Sequence, residues 1–175
     1  MFSTVIKIKD KKAVLGESIL SGYEECIDLI GFSHDMDLPM TQDKSSNSRT
    51  SGRPNLRDFE ITTLMNKAYP KFMEYCAAGD NLGQVKVFTL RVNQGKLSII
   101  AEYTLENVYV SQVSIRGGAM DGSMSQNLKL TADQQHHPVV TVRLNYDQIS
   151  CEYTSTDNAG GQLGRIGGAG IKATA

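Results

Sequence analysis

His136 and His137 stand side by side, and His34, Asp35 and Asp37 fall within the stretch SHDMD. Imidazole and carboxylate at close spacing are what a metal site or an acid–base pair needs. Neither group has the geometry in an extended chain. Adjacent strand residues point to opposite sides, so His136 and His137 cannot easily chelate one ion. Asp35 and Asp37 share a face that His34 does not, which reads as a solvated strand end. The cysteines Cys26, Cys76 and Cys151 lie far apart with no CxxC pair. An odd number without metal spacing argues for reduced thiols made in the cytoplasm. A nucleophilic thiol needs an electropositive, partly exposed setting, whereas Cys76 falls on the apolar side of a helix and Cys151 in the buried phase of a strand. GGQLGRIGGAG (160–170) spaces glycines three apart, but it opens no helix after a buried strand and fails as a phosphate loop. No enzyme, metal or cofactor is expected.

Charge and length narrow the remaining classes. The chain has 175 residues, with 18 Lys plus Arg against 19 Asp plus Glu. That balance draws no polyanion, so no nucleic-acid partner is expected. Lys7, Lys9, Lys11 and Lys12 interleave with Ile6, Ile8 and Asp10 and read as the solvated face and end of a strand. No apolar run approaches the ~18 residues that span a membrane. MFSTVIKIKDKK lacks the apolar core of a signal peptide. Export, if it occurs, is expected by a route other than the general secretory one.

Most of the chain alternates apolar and polar residues in strand fashion. Strands are expected at 4–9, 25–36, 56–65 (with Phe59, Ile61 and Met65 on one face), 84–92, 96–104, 107–116 and from Pro138 onward. The runs 84–92 and 96–104 flank Asn93-Gln94-Gly95 as a hairpin. In the last strand Val140, Val142, Leu144 and Tyr146 share one phase and Ile149, Cys151 and Tyr153 the other. A bulge or corner is therefore expected near Asp147–Gln148.

The spacing becomes helical once, near 68–78. Tyr69, Phe72, Met73 and Cys76 recur at i, i+3, i+4, i+7 and predict one apolar face. Pro70 falls in the first turn and Gly79 where a left-handed cap would stop the helix, with Asn66 a candidate N-cap. About ten residues is too short to stand alone, so packing must hold it. The fold class expected is mainly β: an antiparallel barrel or tight two-sheet sandwich with one short flanking α-helix, over 1–154. Val85 and Val87 against Phe88, Leu90 and Val92 make both faces of one strand apolar. Something must cover the second face, either the helix or another subunit.

Two segments fall outside the alternation. Residues 39–55, PMTQDKSSNSRTSGRPN, form a polar loop longer than the roughly 12–15 residues usual in compact domains. Residues 155–175 form a glycine-rich C-terminal tail with no usable period and a disordered composition.

In order and spacing the segments resemble the haemolysin-coregulated protein (Hcp) family of type VI secretion systems. The resemblance rests on GES (16–18), CIDLIGFSHDMDLP (26–39), GRPNLRDFEITTLMNKAYPKFMEYCAAGDNLGQVKVFTL (52–90), KLSIIAEYTLENVYVSQVSI (96–115) and VTVRLNYDQISCEYT (140–154). The family often carries tryptophan where Cys26 and Cys151 stand, and this chain has none. The resemblance implies a tube subunit made in the bacterial cytoplasm. Homohexameric rings would stack into a hollow tube, hold or chaperone effector proteins, and leave the cell on sheath contraction with spike and baseplate as partners. It implies that the helix packs on the outer side of the barrel and that the long loop reaches the next ring, with Gln42, Asp43, Lys44, Arg49 and Arg53 as stacking residues. Leu163, Ile166 and Ile171 are the expected anchors by which the tail docks on a neighbour. A phage-tail tube subunit belongs to the same structural class, and a barrel holding a small ligand is a third reading.

Overall fold

A computed structural model describes residues 2–9, 14–40, 53–93, 96–117, 134, 137–156 and 162–171. Among them, eleven strands and one helix follow in the order β1 (Phe2–Ile8), β2 (Ile27–Leu29), β3 (Gly31–Ser33), β4 (Met36–Asp37), β5 (Asn55–Leu56), β6 (Phe59–Leu64), α1 (Tyr69–Ala78), β7 (Asn81–Asn93), β8 (Lys96–Arg116), β9 (Val139–Asn145), β10 (Gln148–Thr156) and β11 (Gln162–Ile171). Every pairing is antiparallel. The mainly β expectation with one helix holds.

The barrel closes through a bend in what the alternation suggests is one strand. The sheet runs β2-β1-β7-β8-β9-β6-β3, and its two ends are contiguous in sequence, separated by Ile30 alone. Ile30 donates its amide to the Thr62 carbonyl, and Thr63 Oγ1 donates to the Asp28 carbonyl across the seam at 2.7 Å. That bond satisfies a hydroxyl buried on the core face of β6. Phe59, Ile61 and Thr63 are buried, while Met65, expected on their face, is exposed.

The run from 96 to 116 is one strand rather than two. It pairs with β7 over 96–109, and its other partner changes from β10 (over 101–106) to β9 (over 109–116). The change falls at Asn107, whose φ is 52°, a conformation that asparagine tolerates better than most residues. The expected corner in the last strand lies at 146–147, between β9 and β10. Asn107 Nδ2 donates to Asp147 Oδ2 and the Asp147 amide to the Glu106 carbonyl, which ties kink to corner.

The helix occupies Tyr69–Ala78 and stops at Gly79 with φ 69°. Ala68, not Asn66, takes the N-cap position, and Asn66 Oδ1 accepts the Ala68 amide at 2.9 Å. The buried stripe also differs from the expected one. Ala68 and Phe72 enter the barrel core with Tyr69, Tyr75 and Cys76 against it, while Met73 is 49% exposed. The helix thus packs beside β8 and joins the same core cluster as Val87, Leu105 and Val142.

The outer face of β1, β7 and β8 is covered from within the chain, and not by the helix. Val5, Cys26, Phe88 and Leu90 form a separate buried cluster with Leu20, Tyr23, Leu97 and Ile99. Residues 14–26 of the same chain therefore lie over that face, with Tyr23 edge-on to Phe88 at 5.5 Å. Part of the glycine-rich tail is regular. Residues 162–171 are a strand that pairs along β10 from Gln148↔Ile171 to Thr156↔Gln162. Glycines at 164, 167, 168 and 170 erase side-chain periodicity, but β10 presents a backbone edge that needs none.

Candidate functional site

The chemistry-bearing residues do not converge. Among the described residues no group of three or more His, Cys, Asp and Glu side chains is placed to hold a metal ion. Cys26 is buried, and that burial pushes its thiol pKa up, away from a nucleophile. Cys76 and Cys151 are half-buried. Cys151 accompanies Tyr103, whose hydroxyl is pushed up first by burial and then by that thiol. His137 is exposed and lines a cleft of ≈ 540 Å³ with Glu17, Asp28 and Asn66 at the seam end of β6. His136 lies outside the described residues. No helix among the described residues is long and apolar enough to cross a membrane.

His34 is not a solvated strand end. It is half-buried, stacks on Phe59 at 5.7 Å, and places Nε2 2.5 Å from the Tyr146 hydroxyl. Tyr146 in turn donates to the Arg57 carbonyl at 3.0 Å. A hydroxyl has one proton, so His34 must supply the hydrogen of the other bond from Nε2–H. Burial, with the Asp58 carboxylate second, pushes the Tyr146 pKa up to about 12. Tyr146 is fully buried, as its apolar phase requires, and its hydroxyl finds partners as a buried phenol should.

His34 and Arg57 stand at the two roots of the long polar segment. Between them β4 and β5 pair, Met36↔Leu56 and Asp37↔Asn55, as a sheet separate from the barrel sheet. The expected loop therefore has a paired base, and this β4–β5 ribbon is referred to below as the arm. Asp37 receives hydrogen bonds from Asn55 (3.0 Å) and Arg57 (3.3 Å), which hold its carboxyl below its ordinary pKa, the Asn55 bond first. Leu56 turns inward to the core. Arg53 is exposed, and Gln42, Asp43, Lys44 and Arg49 lie outside the described residues. The arm leaves the barrel where β6 begins; the cleft lies where β6 ends.

A second surface gathers the exposed apolar side chains of the C-terminal strands. Tyr153 and Ile166 are directly paired across β10 and β11 and are 51% and 74% exposed. Ile171 is also exposed. Leu163 lies in β11 by its backbone. Among the described residues β11 pairs with β10 alone, which leaves its other edge without a ladder partner there. The sequence points to Leu163, Ile166 and Ile171, and to His34 and Tyr146 singly, but not to the bonds of Tyr146 with His34 and Arg57 or to the Leu56–Gly170 contact. The available signal was the phase slip at 146–147, which puts a buried tyrosine at a corner.

Comparisons agree with this architecture. The family described as "Type VI secretion system effector, Hcp" matches residues 5–153. Three similar solved structures carry the fold. A type six secretion system protein has a TM-score of 0.78 at 22% identity, covering 97% of this chain and 93% of that one. Hcp1 from Salmonella typhimurium has 0.68 at 18%, covering 97% and 94%. A type VI secretion system effector from Yersinia pestis has 0.67 at 15%, covering 97% and 99%. No curated protein sequence matches the chain.

Proposed function

Since the chain belongs to the Hcp family of type VI secretion systems, we propose that it is a subunit of the secretion tube. Six copies close into a ring, rings stack into a hollow tube, and the tube carries effector proteins outward when the sheath contracts. Spike, sheath and baseplate are its partners in the machine, and export needs no signal peptide. The role is structural, without catalysis.

The observation that carries this reading is the arm. Among the described residues the β4–β5 ribbon pairs only with itself and adds nothing to the barrel sheet, and the residues between its strands are polar. It stands at one end of β6 and suits contact with another copy. A patch at one end meeting a different patch at the other is a heterologous contact, which extends into a filament where its rotation does not close a ring. Gln42, Asp43, Lys44, Arg49 and Arg53 are the residues proposed for that wet, charged contact. Closure of the ring falls to other surfaces, because residues 14–26 already cover the outer face of β7. The edge of β11 away from β10 and the exposed Tyr153–Ile166 pair, with Leu163 and Ile171 on the same strand, are the surfaces proposed for the neighbour within the ring.

Sedimentation and negative-stain microscopy of the purified protein test the reading together. Rings with an open centre, several times the 19.2 kDa chain mass, are expected. Monomer alone at micromolar concentration and physiological salt would overturn it.

A further inference from the structure

Among the described residues the arm shares no strand ladder with the barrel, and beyond the Arg57 amide's bond to the Asp35 carbonyl side chains must help to fix its direction. Two contacts at its base do this. The first is polar. The Tyr146 hydroxyl bonds the His34 ring at one root and the Arg57 carbonyl at the other. One oxygen therefore spans both roots. The second is apolar and comes from the C-terminal strand. A β-carbon at Gly170 would lie 3.1 Å from Leu56 Cδ2, 3.5 Å from Met36 Cε and 3.6 Å from Ile149 Cγ2. Leu56 and Met36 are a cross-strand pair of the arm. The missing side chain at Gly170 leaves the slot in which that pair sits.

We propose that Tyr146 and the C-terminal strand together form the mount that aims the arm, making both of them positioning elements for ring-to-ring contact. β11 acts on stacking through the arm of its own chain, by holding the Met36–Leu56 pair in register with the Tyr146 bond. Both parts are needed. The hydroxyl fixes where the roots lie, and the slot fixes which way the ribbon leaves them. This inference rests on the reading that the arm makes the contact between stacked rings.

Tyr146→Phe removes the hydroxyl alone, and Gly170→Val fills the slot with a residue that suits a strand. Each is expected to keep the ring mass and the barrel fold while losing long tubes. Hydrogen exchange at the amides of Asp37, Asn55, Leu56 and Arg57 should rise about tenfold, the factor that goes with one lost hydrogen bond, while Val87 and Val142 stay protected. Leu56→Ala added to Gly170→Val should restore slow exchange and stacking, which a general loss of stability would not allow. Unchanged exchange across the arm in both variants overturns the mount, whatever the rings do. Replacing residues 42–51 by a short Gly-Ser turn separates the two ideas. If that chain still stacks, the role of the arm itself falls; if it does not stack but both mount variants do, only the mount falls.

Discussion

A β-carbon on Gly16 would lie 1.9 Å from the carbonyl oxygen of Cys26 and 2.4 Å from the amide nitrogen of Ile27. The approach is that close because the Gly16 amide donates to the Glu25 carbonyl at 2.9 Å and the Ser18 amide to the Cys26 carbonyl at 3.1 Å. These bonds lay residues 14–18 against 25–27 and so hold the cover over Phe88 and Leu90. Backbone atoms cannot step aside as a flexible side chain can. Gly16→Ala should therefore cost roughly 3 kcal/mol or more. It should also free the Cys26 thiol, buried in the intact protein. Urea unfolding and thiol labelling read the two effects. Full stability with Cys26 still unreactive would contradict the close contact.

The helix offers a paired comparison. Phe72 is 1% exposed and fills the core, whereas Met73, one residue on, is 49% exposed. Phe72→Ala should cost about 3–5 kcal/mol. Met73→Ala should stay within about 0.5 kcal/mol. Denaturant titrations of the two variants decide it. Equal losses would restore Met73 to the buried stripe that its spacing suggests.

Local signals were readable in the sequence where local physics decides. Pro70, Gly79 and the helical spacing mark α1, and the phase slip marks the corner at 146–147. Signals failed where a partner distant in sequence decides. Nothing in GGQLGRIGGAG announces a strand, because the glycines remove the side-chain pattern and β10 supplies the pairing. Ile27–Leu29 and Gly31–Ser33 read as one strand because both halves are extended, and only their different partners, β1 and β6, show the bend. The bonds of Tyr146 to His34 and Arg57 span 112 and 89 residues. The cover by residues 14–26 is a loop with little regular structure, so its burial of the β7 face has no periodic signature.

Tyr146 should also leave a mark on alkaline stability. Its pKa is raised from 10.0 to about 12 by burial and by Asp58. A group raised in the folded state gives its full stabilisation below the unfolded value and loses it as pH climbs through the folded one. Between pH 10 and about 12 the unfolded chain sheds this proton while the folded one keeps it, so stability falls by roughly 2–3 kcal/mol. Burial raises Tyr23 and Tyr103 too, so they add to the same slope. The measurement is the difference between the parent protein and Tyr146→Phe, whose profile should be shallower across that window. Parallel profiles would show that the phenol titrates without regard to the fold.

Charges on four strands hold the glycine-rich β11 in place. Glu102 on β8, only 13% exposed, accepts from Lys86 of β7 at 2.6 Å and from Arg165 of β11 at 3.3 Å. Arg165 also reaches Glu152 of β10 at 2.9 Å. Arg165 is half exposed, so its contribution to global stability should stay below about 1 kcal/mol. Its local contribution should be larger, because glycines leave β11 few side chains with which to grip the sheet. Arg165→Ala should leave the unfolding midpoint nearly unchanged yet speed exchange of the β11 amides that bond β10. Glu102→Gln should lower the midpoint as well as speed that exchange, since it leaves Lys86 and Arg165 without the carboxylate they share. In the parent protein, 1 M salt shortens the Debye length to about 3 Å and should move β11 part of the way toward Arg165→Ala. If β11 exchanges equally slowly in the parent and in Arg165→Ala at either salt, the β10 ladder holds the strand unaided.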